Sequence, residues 1–283
     1  MSGRESIATC LETGARRLDA AGIPDARREA RLILAHALGV EPVVILGYPE
    51  RPVEDAGHYQ GLIERRAARE PLSHLTGRRE FWSLDFEVTP ETLDPRADSE
   101  TLVEAALAAL PDHEAPLSIV DFGTGSGCLL LALLSELPNA SGLGIDIAEE
   151  TLAVARRNAA RLGLDGRSLF SIGDWGAALA GPFDLVVSNP PYIPASEIAG
   201  LQPEVAGFEP RRALDGGADG LDAYRRLGPD IFRLLRSGGV AVLEFGLGQG
   251  AAVEGLMSAE GLTSQGFRRD LAGLDRCLVL GKG

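Results

Sequence analysis

Hydrophobic residues in the first quarter of the chain follow the spacing of amphipathic helices. The positions that share this spacing are Ile7, Leu11, Leu18, Ala26, Ala30, Ile33, Leu34 and Leu38. Pro24-Asp25 marks the start of the second helix, and Pro71 ends a later helix that contains Leu62 and Ile63. The prolines that break the stretch between them are Pro42, Pro49 and Pro52. Residues 1–75 are therefore predicted to form a small helical domain.

The hydrophobic period then changes from that of a helix to that of a strand. Trp82, Leu84, Phe86 and Val88 occupy every second position, which predicts a strand over these residues. We expect residues 76–96 to form a β-hairpin linker.

Apolar runs of strand length alternate with helix-like segments beyond this linker. The runs are Leu117–Phe122, Ser141–Ile147, Ser168–Gly173 and Phe183–Ser188. Strand and helix in alternation are typical of an α/β domain whose mainly parallel sheet is joined by right-handed crossovers. We predict that residues 97–283 form this domain.

A glycine-rich turn follows the first of these runs. Gly123-Thr124-Gly125-Ser126-Gly127 separates the run from an apolar, helix-like segment that begins at Cys128. Glycines allow a ligand to approach the backbone closely, and a helix N-terminus offers free N–H groups. Cys128 occupies the position of the third glycine of a dinucleotide fingerprint, which counts against a nicotinamide or flavin cofactor.

Acidic residues stand at the ends of the next two runs. Asp146 lies roughly twenty residues after the glycines, the offset at which a carboxylate accepts hydrogen bonds from ribose hydroxyls. Asp174 can accept from the exocyclic amine of adenine, and Trp175 can pack on the ring, although core packing explains a tryptophan equally well. Taken with the glycine turn, these residues predict a site for S-adenosylmethionine.

The fourth run ends in Asn189-Pro190-Pro191-Tyr192. The side-chain carbonyl of Asn189 and the main-chain carbonyl of Pro190 can both accept from one –NH2 group, while the two prolines keep the backbone extended. Accepting both N–H bonds orients the delocalised lone pair of a planar amine or amide. The motif thus predicts a planar –NH2 substrate, while a plain turn at the end of a strand is the alternative.

Further motifs along nearly the whole chain support a family resemblance. They are Pro71-Leu72, Gly77, Glu80-Phe81-Trp82, Pro95-Arg96 with Glu100, Phe208-Glu209-Pro210, Ala213-Leu214, Asp219-Gly220-Leu221 and Asp275-Arg276. With the glycine turn and Asn-Pro-Pro-Tyr, the chain resembles the peptide chain release factor glutamine methyltransferases of the HemK/PrmC type. Asp94, where an apolar residue is expected, and Ala97, where a proline is expected, depart from the family pattern.

The resemblance implies a mainly parallel, seven-stranded Rossmann-like methyltransferase sheet with a small N-terminal helical domain. It implies methyl transfer from S-adenosylmethionine to the side-chain amide nitrogen of the glutamine in the Gly-Gly-Gln motif of class 1 release factors, which act in translation termination. Gly123 to Gly127, Asp146 and Trp175 would bind the cofactor, and Asn189 would contact both cofactor and substrate. Pro190, Pro191 and Tyr192 would hold the glutamine, with Tyr192 stacked on its amide plane.

Charge bears on the choice of substrate. The net charge of −14 opposes non-specific binding to a phosphate backbone. Asn-Pro-Pro-Tyr also occurs in enzymes that methylate adenine amines in nucleic acid, and Arg65-Arg66 with Arg69, or Arg78-Arg79, could supply a basic patch. A solvated helix face and a polar turn are the favoured interpretations of these arginines. A protein substrate with a basic face is therefore preferred. Two alternatives remain, a methyltransferase that acts on an adenine amine in nucleic acid or on another small-molecule amine, and a binding module without catalysis.

Other residue types exclude several classes of site. Three scattered cysteines and four histidines without ligand spacing predict no metal or redox centre and suit the cytoplasm. No apolar run approaches the roughly twenty residues that span a bilayer, and no secretion signal follows the N-terminus. The helical domain carries no chemical motif, so partner recognition and plain stabilisation both remain open for it.

Overall fold

The structure is a computed structural model that describes residues 5–283. The described chain forms two compact units. The helical unit comprises the described residues through Gly77 together with the distant segment Gln202–Phe208. The α/β unit comprises Arg78–Leu201 and Glu209–Gly283.

Helices and strands have the following bounds. The helices are α1 Ile7–Ala20, α2 Ala26–Leu38, α3 Pro42–Gly47, α4 Ala56–Ala67, α5 Leu72–Thr76, α6 Glu100–Ala109, α7 Cys128–Glu136, α8 Glu149–Arg161, α9 Pro203–Phe208, α10 Asp222–Leu234 and α11 Gly250–Ala259. The strands are β1 Arg78–Phe81, β2 Leu84–Glu87, β3 Ser118–Phe122, β4 Ser141–Asp146, β5 Ser168–Ile172, β6 Phe183–Ser188, β7 Leu235–Glu244, β8 Thr263–Arg269 and β9 Asp275–Gly281. Among the helices of residues 5–283, none combines the length and the apolar character needed to cross a membrane.

The helical unit buries the apolar positions that the sequence pattern places on one face of α1 and α2. Its core includes Ile7, Leu11, Leu18, Ile33 and Leu34. The hydroxyl of Ser6 accepts from the N–H of Thr9 at 3.2 Å and thereby caps α1. The amphipathic pattern of these two helices is thus confirmed.

Pro42 starts a helix, so the prediction that it only breaks the chain is wrong. It occupies the first turn of α3. The missing N–H of proline costs nothing there, because the first N–H groups of a helix have no intrahelical partner.

A buried ion-pair cluster links helices that are far apart in sequence within the helical unit. Arg66 on α4 donates to Glu29 on α2 at 2.5 Å and to Glu204 on α9 at 3.0 Å, and it is only 5% exposed. Arg69 also reaches Glu204, at 3.0 Å. The prediction of a solvated face is therefore wrong for Arg66, since acidic partners from distant segments cover it. Sequence spacing alone could not reveal those partners.

Strands β1 and β2 form an antiparallel hairpin in the α/β unit. Its two-residue turn consists of Trp82 and Ser83, both with positive φ, of 54° and 57°. The predicted strand from Trp82 to Val88 is therefore wrong at both ends, because Trp82 lies in the turn and Val88 follows the last paired residue. The alternation of apolar residues continues through the turn, which explains the error.

The seven-stranded sheet has the order β5-β4-β3-β6-β7-β9-β8. β3 pairs in parallel with β4 and β6, whereas β9 pairs antiparallel with β7 and β8. Neighbouring residues Ile119 and Val120 belong to different core clusters, so both faces of β3 are covered. This sheet confirms the predicted fold class. From β3 the chain continues outward through β4 and β5 and then returns to β6 on the other side of β3, so the winding reverses between the adjacent strands β3 and β6. Ligands of open α/β sheets bind at such switch points.

Candidate active site

A cavity of about 310 Å³ lies beyond the carboxyl ends of β3 to β6. Seven of the residues that the sequence assigns to a site line it, namely Gly123, Gly125, Asp146, Asp174, Trp175, Asn189 and Pro191. They come from four strand ends that parallel pairing places at one edge of the sheet. The segment after the Asn-Pro-Pro-Tyr motif adds Pro210, Arg212, Ala213 and Asp215 to the lining.

Some residues of the glycine turn line the cavity, and others are buried in the protein interior. Gly123 and Gly125 line the cavity with positive φ values, 72° and 57°, that glycine adopts without strain. Thr124 and Ser126 are buried, and the Thr124 hydroxyl donates to Asp121 at 2.7 Å. A Cβ atom on Gly127 would lie 3.2 Å from the Cβ atom of Ala155 on α8, so this glycine serves close packing at the start of α7.

Asp146 is the last residue of β4 and is fixed against the glycine turn. Its Oδ2 accepts from the N–H of Gly125 at 3.1 Å, and its Oδ1 accepts from the N–H of Ala148 at 3.1 Å. A carboxylate has about four acceptor positions, so two hydrogen bonds leave capacity for hydroxyl donors. The geometry suits a diol such as that of ribose.

Asp174 and Trp175 follow β5, and the Trp175 ring lies beside the glycine turn. Trp175 has a positive φ of 55°, uncommon for a bulky residue, and a Cβ atom on Gly123 would lie 3.6 Å from its ring. Asp174 forms an ion pair with Arg226 of α10, which also lines the cavity. Arg226 was not among the predicted site residues, because nothing in the sequence spacing indicates that α10 faces the end of β5.

The four residues of the Asn-Pro-Pro-Tyr motif differ in their surroundings. Asn189 and Pro191 line the cavity, and Asn189 Nδ2 donates to Ser99 Oγ at 3.1 Å. Pro190 is buried and Tyr192 is half-buried. Gln249 Nε2 donates to the main-chain oxygen of Tyr192 at 2.8 Å. Burial, reinforced by the nearby carboxylate of Glu244, raises the pKa of Tyr192 to about 12. The tyrosine therefore stays neutral.

Glu244 is a buried carboxyl group that was not among the predicted site residues. It ends β7 and is 1% exposed, with Oε1 3.5 Å from the hydroxyl of Tyr192. Burial raises the pKa of Glu244 to about 7, while hydrogen bonding from Ser99 and the charge of Arg276 act in the opposite direction. An acid directly after an apolar run is the signal that could have revealed it, as it revealed Asp146.

Asp121 makes a testable contribution to the pH dependence of stability. Burial raises its pKa from 3.8 to about 7. Between these values the folded chain retains a proton that the unfolded chain has released, so the free energy of unfolding falls as the pH rises through this window. We expect Asp121→Asn to lose less thermal stability than the wild type between pH 5 and pH 8. Equal losses in thermal scans of both proteins would refute this assignment.

Comparison with known proteins identifies the family. A PrmC N-terminal domain model matches residues 9–77, and a methyltransferase domain model matches residues 113–259. The release factor glutamine methyltransferase of Rhodospirillum rubrum is 53% identical over 271 residues, which cover 95% of this chain and 83% of the relative. The chain belongs to the release factor glutamine methyltransferase family. The family member of Caulobacter vibrioides is 48% identical over 268 residues, covering 94% of this chain and 92% of the relative.

A solved structure supports the fold independently. The crystal structure of a methyltransferase from Pyrococcus furiosus has a TM-score of 0.52 and 17% identity, covering 79% of this chain and 98% of that chain. At this identity the likeness concerns the fold alone. The predicted family, fold class and enzyme class, a methyltransferase, are therefore confirmed for this member of the release factor glutamine methyltransferase family.

Proposed function

We propose that this chain transfers a methyl group from S-adenosylmethionine to the side-chain amide nitrogen of the glutamine in the Gly-Gly-Gln motif of class 1 peptide chain release factors. Membership of the release factor glutamine methyltransferase family supports the acceptor. The observation that carries the chemistry is the orientation of Asn189, whose Nδ2 is held by Ser99 at the edge of the cavity. Its carbonyl oxygen is then available to a planar amide.

The cavity suits S-adenosylmethionine in size and in chemistry. Its volume of about 310 Å³ is within the range of small-molecule sites. Gly123 and Gly125 allow close approach to the backbone, Asp146 has free acceptor capacity, and the Trp175 ring offers an apolar surface. When bound, S-adenosylmethionine supplies an electrophilic methyl group on a sulfonium. In the proposal, Gly123 to Gly127, Asp146, Asp174, Trp175 and Asn189 form its binding site.

The acceptor amide is oriented by the Asn-Pro-Pro-Tyr motif in this proposal. Asn189 Oδ1 and the main-chain carbonyl of Pro190 accept its two N–H bonds, which directs the nitrogen lone pair toward the cavity. Pro191 and the Tyr192 ring hold the amide plane. The protein contributes alignment and exclusion of water, and the methylated nitrogen is acidic enough to lose its proton after the transfer.

The charge distribution supports a protein substrate over nucleic acid. Arg65, Arg66 and Arg69 are paired with Glu70, Glu29 and Glu204, so their positive charge is largely neutralised within the helical unit. Arg78 pairs with Asp85, and Arg79 lies 4.0 Å from Asp94. These arginines were the candidates for a basic patch. A net charge of −14 instead favours a partner with a basic face.

The remaining assignments belong to the same proposal. Residues 1–75 would recognise the release factor, residues 76–96 would link the domains, and residues 97–283 would carry the reaction. The three cysteines, Cys10, Cys128 and Cys277, are free, which agrees with a reducing compartment. A cytoplasmic location follows from a substrate that acts in translation termination.

The function is tested by offering several methyl acceptors in parallel. Purified chain is incubated with S-adenosylmethionine labelled in the methyl group and with a class 1 release factor, the same factor with alanine in place of the Gly-Gly-Gln glutamine, or nucleic acid. We expect label only on the unaltered release factor. Label on nucleic acid would favour adenine methylation, and label on no acceptor would favour a catalytically silent binding module.

The role of Asp146 is tested by binding. We expect Asp146→Asn to weaken S-adenosylhomocysteine binding by roughly tenfold, because a charged acceptor contributes about 1.5 kcal/mol or more to a hydrogen bond. Isothermal titration calorimetry measures the dissociation constant. Glu149→Gln is the matched control, since this acid is exposed, pairs with Arg156 and is not part of the cavity lining. Equal affinities of Asp146→Asn and the wild type would remove Asp146 from the site.

A further inference from the structure

The side-chain amide of Asn189 can adopt two orientations that have opposite chemical consequences. In one, Oδ1 faces the cavity and accepts from a substrate –NH2 group. In the other, rotated by half a turn, Nδ2 faces the cavity, so the N–H donors of Asn189 would face the N–H donors of the substrate. The shape of the side chain is nearly the same in both, so hydrogen-bond partners must select between them.

The partners behind Asn189 form a short chain of hydrogen-bonding groups. Asn189 Nδ2 donates to Ser99 Oγ at 3.1 Å, and both side chains act on the nearby Glu244 carboxyl as hydrogen-bonding neighbours that lower its pKa. Ser99 and Glu244 are 3% and 1% exposed. Among residues 5–283, Glu244 Oε2 has no hydrogen-bond partner, so this oxygen retains full capacity to accept.

An ionised Glu244 carboxylate determines which group donates and which accepts in each of these hydrogen bonds. Because it can only accept, the Ser99 hydroxyl donates to it and turns a lone pair toward Asn189. A lone pair at that position can be satisfied only by the –NH2 end of Asn189. The carbonyl end is then left facing the cavity, as the proposed methyl transfer requires.

We propose that Glu244 is a positioning residue that fixes, through Ser99, the side-chain amide of Asn189 with its carbonyl oxygen toward the substrate. The role in turnover rests on the proposed function, whereas the amide orientation can be measured without it. Glu244 does not line the cavity, so it acts through Asn189 rather than on the reacting atoms.

Protonation of Glu244 leaves the donor and acceptor roles of Ser99 and Asn189 unfixed, because a carboxylic acid can donate as well as accept. The groups that surround the carboxyl and act on it or respond to it are Asp98, Cys128, Tyr192, Tyr224, Arg276 and Cys277. With a pKa near 7, Glu244 is ionised at pH 8 and protonated at pH 6. The correct amide orientation is therefore fixed at the higher pH.

Glu244→Gln tests the role in turnover, since glutamine keeps the size of the side chain but can donate and accept. We expect kcat toward the release factor to fall roughly 10- to 100-fold at pH 8, with KM for S-adenosylmethionine within a few-fold. The fall of wild-type kcat below pH 7 should be absent in this variant. Asp121→Asn is the matched control, because the Asp121 carboxyl is equally buried and has a similar pKa. Its substitution leaves the hydrogen-bonding groups of Glu244, Ser99 and Asn189 in place. It should keep the pH dependence of kcat.

Nuclear magnetic resonance tests the orientation independently of activity. In the wild type at pH 8, the Asn189 side-chain –NH2 signals, assigned by their loss in Asn189→Ala, should exchange slowly and show a nuclear Overhauser effect to the Ser99 β-protons. Glu244→Gln should lose both features while its thermal unfolding and S-adenosylhomocysteine affinity stay close to wild type. Unchanged signals in Glu244→Gln would overturn the proposal. A wild type that methylates no release factor but shows the expected signals would contradict the function alone.

Discussion

Asn189→Ala is expected to lower kcat by on the order of hundredfold while the affinity for S-adenosylhomocysteine changes only a few-fold. In the proposed reaction, this substitution removes the acceptor that orients the amide nitrogen while the nitrogen attacks the methyl group. The other residues that line the cavity, including Asp146 and Trp175, remain in place. Steady-state kinetics and titration calorimetry on the same preparation give the two quantities.

Asn189→Asp separates acceptor capacity from charge. Aspartate keeps an acceptor at this position, but it adds a negative charge beside the sulfonium and cannot donate to Ser99 when ionised. We expect an intermediate loss of kcat with a changed cofactor affinity. A kcat of Asn189→Ala within a few-fold of the wild type would refute the orienting role.

Arg66→Ala is expected to destabilise the helical unit by about 3 kcal/mol or more. Arg66 is almost fully buried and pairs with Glu29 on α2 and Glu204 on α9. Its removal leaves two carboxylates without this partner in a poorly solvated environment, and the loss of one member of a buried pair costs far more than the pair contributes. Hydrogen exchange of α2 and α4 in the full chain measures the opening free energy of this unit.

Arg17→Ala is the matched control for this prediction. Arg17 also lies in the helical unit and pairs with Glu64 at 2.8 Å, but both side chains are largely exposed. Water and salt screen such a pair, so its loss should leave the exchange of α2 and α4 nearly unchanged. Equal effects of the two substitutions would contradict a special role for the buried cluster.

The central strands and their order along the chain were predictable from the sequence, for a physical reason. β3 and β6 are covered on both faces, so they require the continuous apolar runs that the sequence displays. The antiparallel placement of β9 between β7 and β8 had no comparable signal, since pairing direction depends on the connections and on hydrogen bonds between distant segments. The short helix α3 was missed because a proline is found both where a helix is broken and where a helix begins, so Pro42 alone does not distinguish the two.

The candidate site residues that lie at the end of a single strand were predictable from the sequence. Asp146, Trp175 and Asn189 lie at or just after the ends of apolar runs, and parallel pairing brings them to one cavity. Arg226 and Ser99 were missed because they lie on a helix and in a turn whose neighbours are set by packing. The partner of Asp174 is therefore a property of the folded chain that no local spacing encodes.

Mass spectrometry of the methylated release factor shows which atom receives the methyl group. The factor is incubated with the chain and S-adenosylmethionine, digested, and its Gly-Gly-Gln peptide is fragmented to locate the methyl group. We expect one added methyl group on the glutamine side-chain nitrogen, formed by the wild type and strongly reduced with Asn189→Ala. A methyl group on any other residue, or equal modification by both proteins, would contradict it.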